Sequence, residues 1–213
     1  IWPRGRFMLI ALPNEDGSFT CTLFMPYDNH EYAFNDLDSD EKINVFFKTI
    51  FPDFYSLMPN LIENWHQNPL SSLSIVRCYP WTMGKFALMG DSCHATVPFY
   101  GQGMNAGFED CTVMWELYNQ HQNWDETFKA YQKTRKADGD ALQDLSLHNY
   151  YVMRDHVAND DFLLQKKIEA KLHEKHPKKW IPLYSQVTFS HIPYSKAIAQ
   201  GKKQDLIMKE ILK

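Results

Sequence analysis

Residues 86–110 read Phe86-Ala-Leu-Met-Gly-Asp-Ser-Cys-His-Ala-Thr-Val-Pro-Phe-Tyr-Gly-Gln-Gly-Met-Asn-Ala-Gly-Phe-Glu-Asp110, and the fold turns on this stretch. It opens with an apolar run, Phe86 to Met89, short enough for a buried strand and closed by a glycine. Gly90 lets a ligand approach the backbone, and Asp91 places an acceptor carboxylate at the carboxyl end of that strand. Pro98 stiffens a turn, and Gly101, Gly103 and Gly107 bracket the start of a helical pattern. Met104, Gly107, Cys111, Met114 and Tyr118 recur at helical spacing, so the glycine loop feeds a helix amino-terminus. Unpaired N–H groups and the positive end of the helix dipole gather there, which suits a bound group that acquires negative charge.

The run Pro98-Phe-Tyr-Gly-Gln-Gly-Met-Asn-Ala-Gly-Phe-Glu-Asp110, preceded by Gly90-Asp91, resembles the second FAD motif of the aromatic-ring flavoprotein monooxygenases. Within that family it is most similar to the branch that hydroxylates kynurenine. Ile1-Trp-Pro-Arg4, Phe7-Met8, Ala11-Leu-Pro-Asn14 and Ser18-Phe-Thr-Cys-Thr-Leu-Phe-Met-Pro26 carry the same likeness. So do Asn149-Tyr150 with Met153-Arg154, and Ile181-Pro-Leu-Tyr-Ser-Gln-Val-Thr-Phe-Ser190. The likeness is weaker over 28–85 and 155–180.

The resemblance implies an α+β fragment of a two-domain, FAD/NAD(P)-linked flavoprotein monooxygenase. Antiparallel substrate-domain strands with short helices would occupy 1–80, an FAD-binding strand–loop–helix 81–124, and an all-helical region 125–213. It implies FAD as cofactor, NADPH as reductant, O2 as co-substrate and L-kynurenine as substrate. The product would be 3-hydroxykynurenine, in tryptophan degradation by the kynurenine pathway. Asp91 would accept from the ribityl hydroxyls, while Gly103, Met104 and Asn105 would bring the helix amino-terminus to the flavin N1–C2=O edge. Pro98, Phe99 and Gln102 would lie between flavin and substrate. Met8, Ile10, Leu12 and Phe24 would floor a dry substrate pocket, and Asn149, Met153 and Tyr184 would contact the substrate. No general acid or base is evident among these residues, and no catalytic side chain or metal ligand is assigned. Another aromatic substrate of the same enzyme class is the nearest alternative, and a non-catalytic fragment is a further one.

Bulk properties agree with a globular protein. Among 213 residues, 44% are hydrophobic, 23% charged and an unusually high 15% aromatic, enough for a sizeable core. A net charge of −4 leaves no basic footprint for nucleic acid. No apolar run approaches the ~18–20 residues that span a bilayer. Cys21, Cys78, Cys93 and Cys111 have no CxxC spacing and sit in apolar segments; they read as reduced and buried, which points to the cytoplasm. The chain begins at Ile1 in what looks like mid-strand, and no GxGxxG follows an early strand. It therefore reads as the carboxyl-terminal part of a longer protein whose amino-terminal half completes the site.

Along the chain, Met8, Ile10 and Leu12 share one strand face and Phe7, Leu9 and Ala11 the other. Asp16-Gly17 predicts a hairpin, and Thr20, Thr22 and Phe24 share a face of the returning strand. Spacing alone allows that face to be a packed sheet surface as readily as a pocket floor. Ser39 reads as the N-cap of a helix burying Ile43, Phe46, Phe47 and Ile50, with a second short helix from Phe54. Leu73 to Tyr79 alternates as a strand, and a Pro80–Gly84 turn leads to Phe86. After residue 125 the pattern is helical, with caps at Asp125 and Asp160, a kink at Asp138-Gly139-Asp140 and a buried connector from Trp180 to Phe189. A basic amphipathic tail runs from Gln200 to Lys213.

Gly90-Asp91-Ser92 also spells the start of a serine esterase site, with His94 or the pair Asp155-His156 as base. Cys93 next to His94 suggests a thiol nucleophile, but adjacent side chains on a strand end point apart. His173 and His176 lie in a lysine-rich helix without HExxH and read as a solvated face.

Overall fold

The computed structural model describes residues 1–157 and 159–212. It divides the chain into two units, Ile1–Ser72 with Met153–Ala158, and Leu73–Val152 with Asn159–Lys213.

In the first unit, β1 (Trp2–Pro3), β2 (Met8–Pro13) and β3 (Phe19–Phe24) form an antiparallel sheet in that order. The predicted hairpin is present. Asp16 accepts from the Ser18 amide and hydroxyl, and Gly17 has φ +83°, so the turn is held locally. Register pairs Leu9 with Leu23 and Met8 with Phe24. Directly paired residues project from the same side of the sheet, so each face carries its own row.

Phe7 and Leu9 turn inward with Leu23 onto α1 (Asp40–Ile50), α2 (Pro52–Leu57) and α3 (Leu61–Gln67). α1 starts where expected: Ser39 Oγ accepts from the Lys42 amide, and Ile43, Phe46 and Phe47 are buried. Phe46, Phe47 and Phe51 meet edge-on or tilted at 5.3–5.9 Å between ring centres. Burying each ring stabilises by about 1.5–3 kcal/mol relative to leaving it in water. Met8, Ile10, Leu12 and Phe24 occupy the opposite sheet face, and the row runs from fully buried Met8 to exposed Leu12.

In the second unit a short hairpin joins β4 (Thr82–Met83) and β5 (Phe86–Ala87). The expectation of a buried strand over 86–89 is corrected. Only Phe86 and Ala87 are laddered, and Phe86 is 76% exposed, because β5 pairs with one two-residue neighbour. Residues 73–79 likewise form no strand. They are held by side chains of a helix instead: Gln143 donates to Val76 O, and Arg77 donates to Gln143 and Asp144.

Next come α4 (Asp91–His94), a 3₁₀ turn Pro98–Tyr100, α5 (Gly103–His121) and α6 (Trp124–Tyr151). α5 begins at the glycine loop as expected, but its buried face is Ala106, Asp110 and Met114, with Met104 and Cys111 outside. α6 runs without interruption through 138–140 and is capped by Asn123, so the Asp125 cap does not hold. Gly139 serves close packing: a Cβ there would stand 2.8 Å from Trp81 Cη2. Val152–His156 then forms a π-helical turn.

α7 (Asp160–Lys175) is capped by Asn159 rather than Asp160. The predicted connector is largely a helix, α8 (Leu183–Phe189), with Pro182 as its N-cap. The predicted tail falls on α9 (Tyr194–Ile211) as far as Ile211, and Lys213 lies outside the described residues. Tyr100, Ala106, Leu142, Leu145, Val187 and Ala197 form one core, drawing α5, α6, α8 and α9 together. Trp81, Cys93, Met114 and Tyr131 form a second. Of the four cysteines only Cys93 is buried; Cys21 and Cys111 are exposed, and all four are free thiols. Among the described residues no helix is long and apolar enough to cross a membrane.

Candidate functional site

The decisive stretch folds into a concave wall. Gly90 has φ +57° and ψ −138°, a conformation that side chains with a Cβ disfavour, and it turns the chain into α4 with Asp91 first. Its amide donates to Asp110 Oδ2 at 2.9 Å, and its Cα faces Gly107 so closely that a Cβ on Gly90 would lie 3.8 Å from Gly107 Cα. Pro98 starts the 3₁₀ turn, and Gly101, at φ +65°, ends it in the left-handed region. The chain then enters α5 at Gly103.

Gly90, Asp91, Thr96, Pro98, Gly101, Gly103, Met104 and Gly107 line a single cavity of about 570 Å³. Such a volume matches a small-molecule site. No side chain caps α5. The amides of Gly103, Met104 and Asn105 have no acceptor within the helix, so its first turn presents backbone donors and the positive dipole end. One carboxylate, that of Asp91, belongs to a residue lining the same cavity as this donor set. A ligand with hydroxyls at one end and a planar acceptor edge at the other is complementary to it.

Other predicted residues back this wall. Gln102 is buried, donates to Tyr100 O, and accepts from Asn105 and from the Tyr194 hydroxyl. The Phe99 ring packs at 4.7 Å on Tyr150, and its carbonyl accepts from Asn149 Nδ2 at 2.7 Å. That carbonyl is the backbone partner that a part-buried asparagine needs. Tyr184 stacks on Tyr100 at 5.5 Å with about half of its surface exposed. Asn149 and Tyr184 therefore both reach the Pro98–Tyr100 turn. Met8, Ile10, Leu12, Phe24 and Met153 belong to the first unit, where Met8 lies directly opposite Phe24.

Behind the cavity lies a charged group that the sequence reading missed. Asp110 is 0% and His94 1% exposed. Asp110 Oδ2 accepts from His94 Nε2 at 2.6 Å, and Oδ1 accepts from Arg135 Nε at 2.8 Å. Arg135 also meets Glu109 at 2.7 Å. Burial pushes the Asp110 carboxyl up, but the His94, Arg135 and Gly90 donors outweigh it and hold the group below its ordinary range. The available signal was Arg135 within an otherwise apolar helical stripe, which demands a carboxylate partner.

The rival chemistries find no geometry. Ser92 Oγ donates to Met89 O at 2.7 Å and accepts from the Met89 amide, while His94 Nε2 is engaged by Asp110. Asp155 is clamped by Arg154 through two bonds of 2.6 Å. Burial, with the Asp110 carboxylate adding to it, pushes the Cys93 thiol up to about 12, so it stays protonated. Cys93, His94 and Asp110 do cluster, but the guanidinium of Arg135 and the protonated thiol disfavour a cation there.

Residues 68–146, which contain the whole cavity wall, match the FAD binding domain family. Over its full length the chain is 53% identical to a kynurenine 3-monooxygenase of Flavobacterium psychrophilum, covering 48% of that protein. The similarity to this kynurenine 3-monooxygenase extends along the whole chain. The Dictyostelium discoideum kynurenine 3-monooxygenase is 44% identical, with 100% of the chain and 49% of the relative covered. The Myxococcus xanthus kynurenine 3-monooxygenase is 43% identical, covering 99% of the chain and 46% of the relative. The chain thus spans about half the length of the curated kynurenine 3-monooxygenases it matches.

Proposed function

We propose that this chain supplies the ribityl and N1–C2=O side of an FAD site, together with part of the adjoining aromatic pocket, in an enzyme that hydroxylates L-kynurenine to 3-hydroxykynurenine. The observation that carries the reading is the cavity between Asp91 and the uncapped amino-terminus of α5. When bound, FAD supplies the redox chemistry, taking electrons from NADPH and using O2 to hydroxylate the ring.

The chain's own residues bind, orient and keep the site dry. Asp91 accepts from ribityl hydroxyls, and the amides of Gly103, Met104 and Asn105 donate to the flavin edge where negative charge collects on reduction. Pro98, Phe99 and Gln102 form the partition toward the substrate. Asn149, tied to the Phe99 carbonyl, and Tyr184, stacked on Tyr100, fix the partition from behind and orient the amino-acid end of the substrate. Met8, Ile10, Leu12, Phe24 and Met153 supply apolar surface that excludes water. The remainder of the site comes from another segment of the same protein, in keeping with relatives about twice as long. Four free thiols suit a reducing cytoplasm.

Titrating FAD with residues 1–213 tests the reading through flavin fluorescence. Weak quenching in the micromolar range or above, abolished by Asp91→Ala, is expected. No saturable quenching, or quenching indifferent to Asp91→Ala, overturns it.

A further inference from the structure

Asp110 touches both walls of the cavity from behind. It sits on α5, whose amino-terminus forms one wall. Its Oδ2 accepts from the Gly90 amide at 2.9 Å and from His94 Nε2 at 2.6 Å, which mark the two ends of the Gly90–His94 turn forming the other wall. Inside the turn, the Gly90 carbonyl accepts from the Cys93 and His94 amides. A four-residue helix cannot hold itself, because nucleation fixes several residues for one or two hydrogen bonds. Its shape, and with it the aim of Asp91, has to be imposed from outside.

We propose that Asp110 and His94 are positioning residues for the cofactor cavity: a shared carboxylate oxygen locks the Gly90–Asp91 turn against α5 and so aims Asp91. Arg135 keeps the carboxylate ionised and oriented through Nε, and donates to Ala106 O through a second nitrogen. His94 donates through Nε2 to Asp110, while Nδ1 has no partner among the described residues. A buried ion pair alone contributes little net stability and is replaceable by apolar packing. What apolar packing cannot replace is an acceptor that meets Gly90 N–H and His94 together. The role toward FAD rests on the assignment of the cavity to that cofactor.

The test compares residues 1–213 as wild type, Asp110→Asn, His94→Leu and His94→Gln, reading hydrogen exchange at the Gly90 amide and FAD affinity. His94→Leu fills similar space without a donor, whereas His94→Gln keeps an N–H for Asp110. In Asp110→Asn and His94→Leu the Gly90 amide is expected to exchange at least about tenfold faster, with FAD affinity lowered by a similar factor, a change of about 1.4 kcal/mol. In His94→Gln both stay within about threefold of wild type, and Leu142, deep in α6, keeps its protection in every variant. Unchanged Gly90 exchange in Asp110→Asn, or identical behaviour of the Leu and Gln variants, overturns the proposal. Should wild type bind no FAD, the cofactor assignment falls, and the Gly90 exchange pattern alone decides the positioning role.

Discussion

Gly139 and Trp81 are so close that a single methyl group on the glycine would stand 2.8 Å from Trp81 Cη2 and 3.2 Å from His94 Cβ. Trp81 is 1% exposed and has nowhere to retreat. Alanine favours a helix over glycine by about 1 kcal/mol, but overpacking a filled core costs about 1–3 kcal/mol. Gly139→Ala is therefore expected to lower stability in urea unfolding and to change the Trp81 fluorescence. A net gain in stability would show that the indole yields.

Acid should act through Asp110. Its carboxyl is held below the ordinary value in the folded chain, so its contribution is complete above the unfolded value near 4. That contribution is lost as pH falls through the lower folded value. Urea midpoints should decline below about pH 4, with a shallower decline in Asp110→Asn. Equal slopes in the two proteins would remove Asp110 from the acid transition.

Asp110→Ala is expected to be far more damaging than Asp110→Asn. It leaves the buried Arg135 guanidinium without its main partner, a loss of about 3–5 kcal/mol for a broken buried pair. Thermal and urea unfolding measure it, and a loss below about 1 kcal/mol would show that Glu109 alone compensates.

Thiol labelling separates the cysteines. Cys111 is exposed and Cys93 buried with its thiol pushed up to about 12. Iodoacetamide at mildly alkaline pH should modify Cys111 within minutes and leave Cys93 unmodified until the chain unfolds. Mass spectrometry reads both sites, and early modification of Cys93 would contradict the buried, protonated thiol.

Gly90→Ala places a Cβ at φ +57°, ψ −138°, where side chains are strained by about 1–3 kcal/mol. The expected result is loss of both stability and FAD affinity. Retention of both would mean that the turn relaxes without consequence.

The features readable from the chain were local ones. The Asp16-Gly17 hairpin, the Ser39 cap and the glycine loop entering α5 each depend on residues a few positions apart. Leu73–Tyr79 alternates like a strand, yet strand status needs a neighbour, and here Gln143, distant in sequence, takes the backbone bond instead. Trp180–Phe189 reads as a connector, yet Pro182 stands at the N-cap of α8, where its missing N–H costs no helical bond. Nothing near Asp110 in sequence marks it as one of the buried residues of α5. Only the fold shows that Arg135, 25 residues on, makes its burial tolerable. The cavity residues were found because they are contiguous; the network behind them was missed because it is not.

The most direct test maps FAD onto backbone amides. In ¹⁵N-labelled residues 1–213, titration with FAD should shift the amides of Gly90, Asp91, Gly103, Met104 and Asn105 along one saturable curve, while those of α7 stay in place. Saturable shifts confined to other residues, or none at any FAD concentration, would contradict a flavin seated between Asp91 and the start of α5.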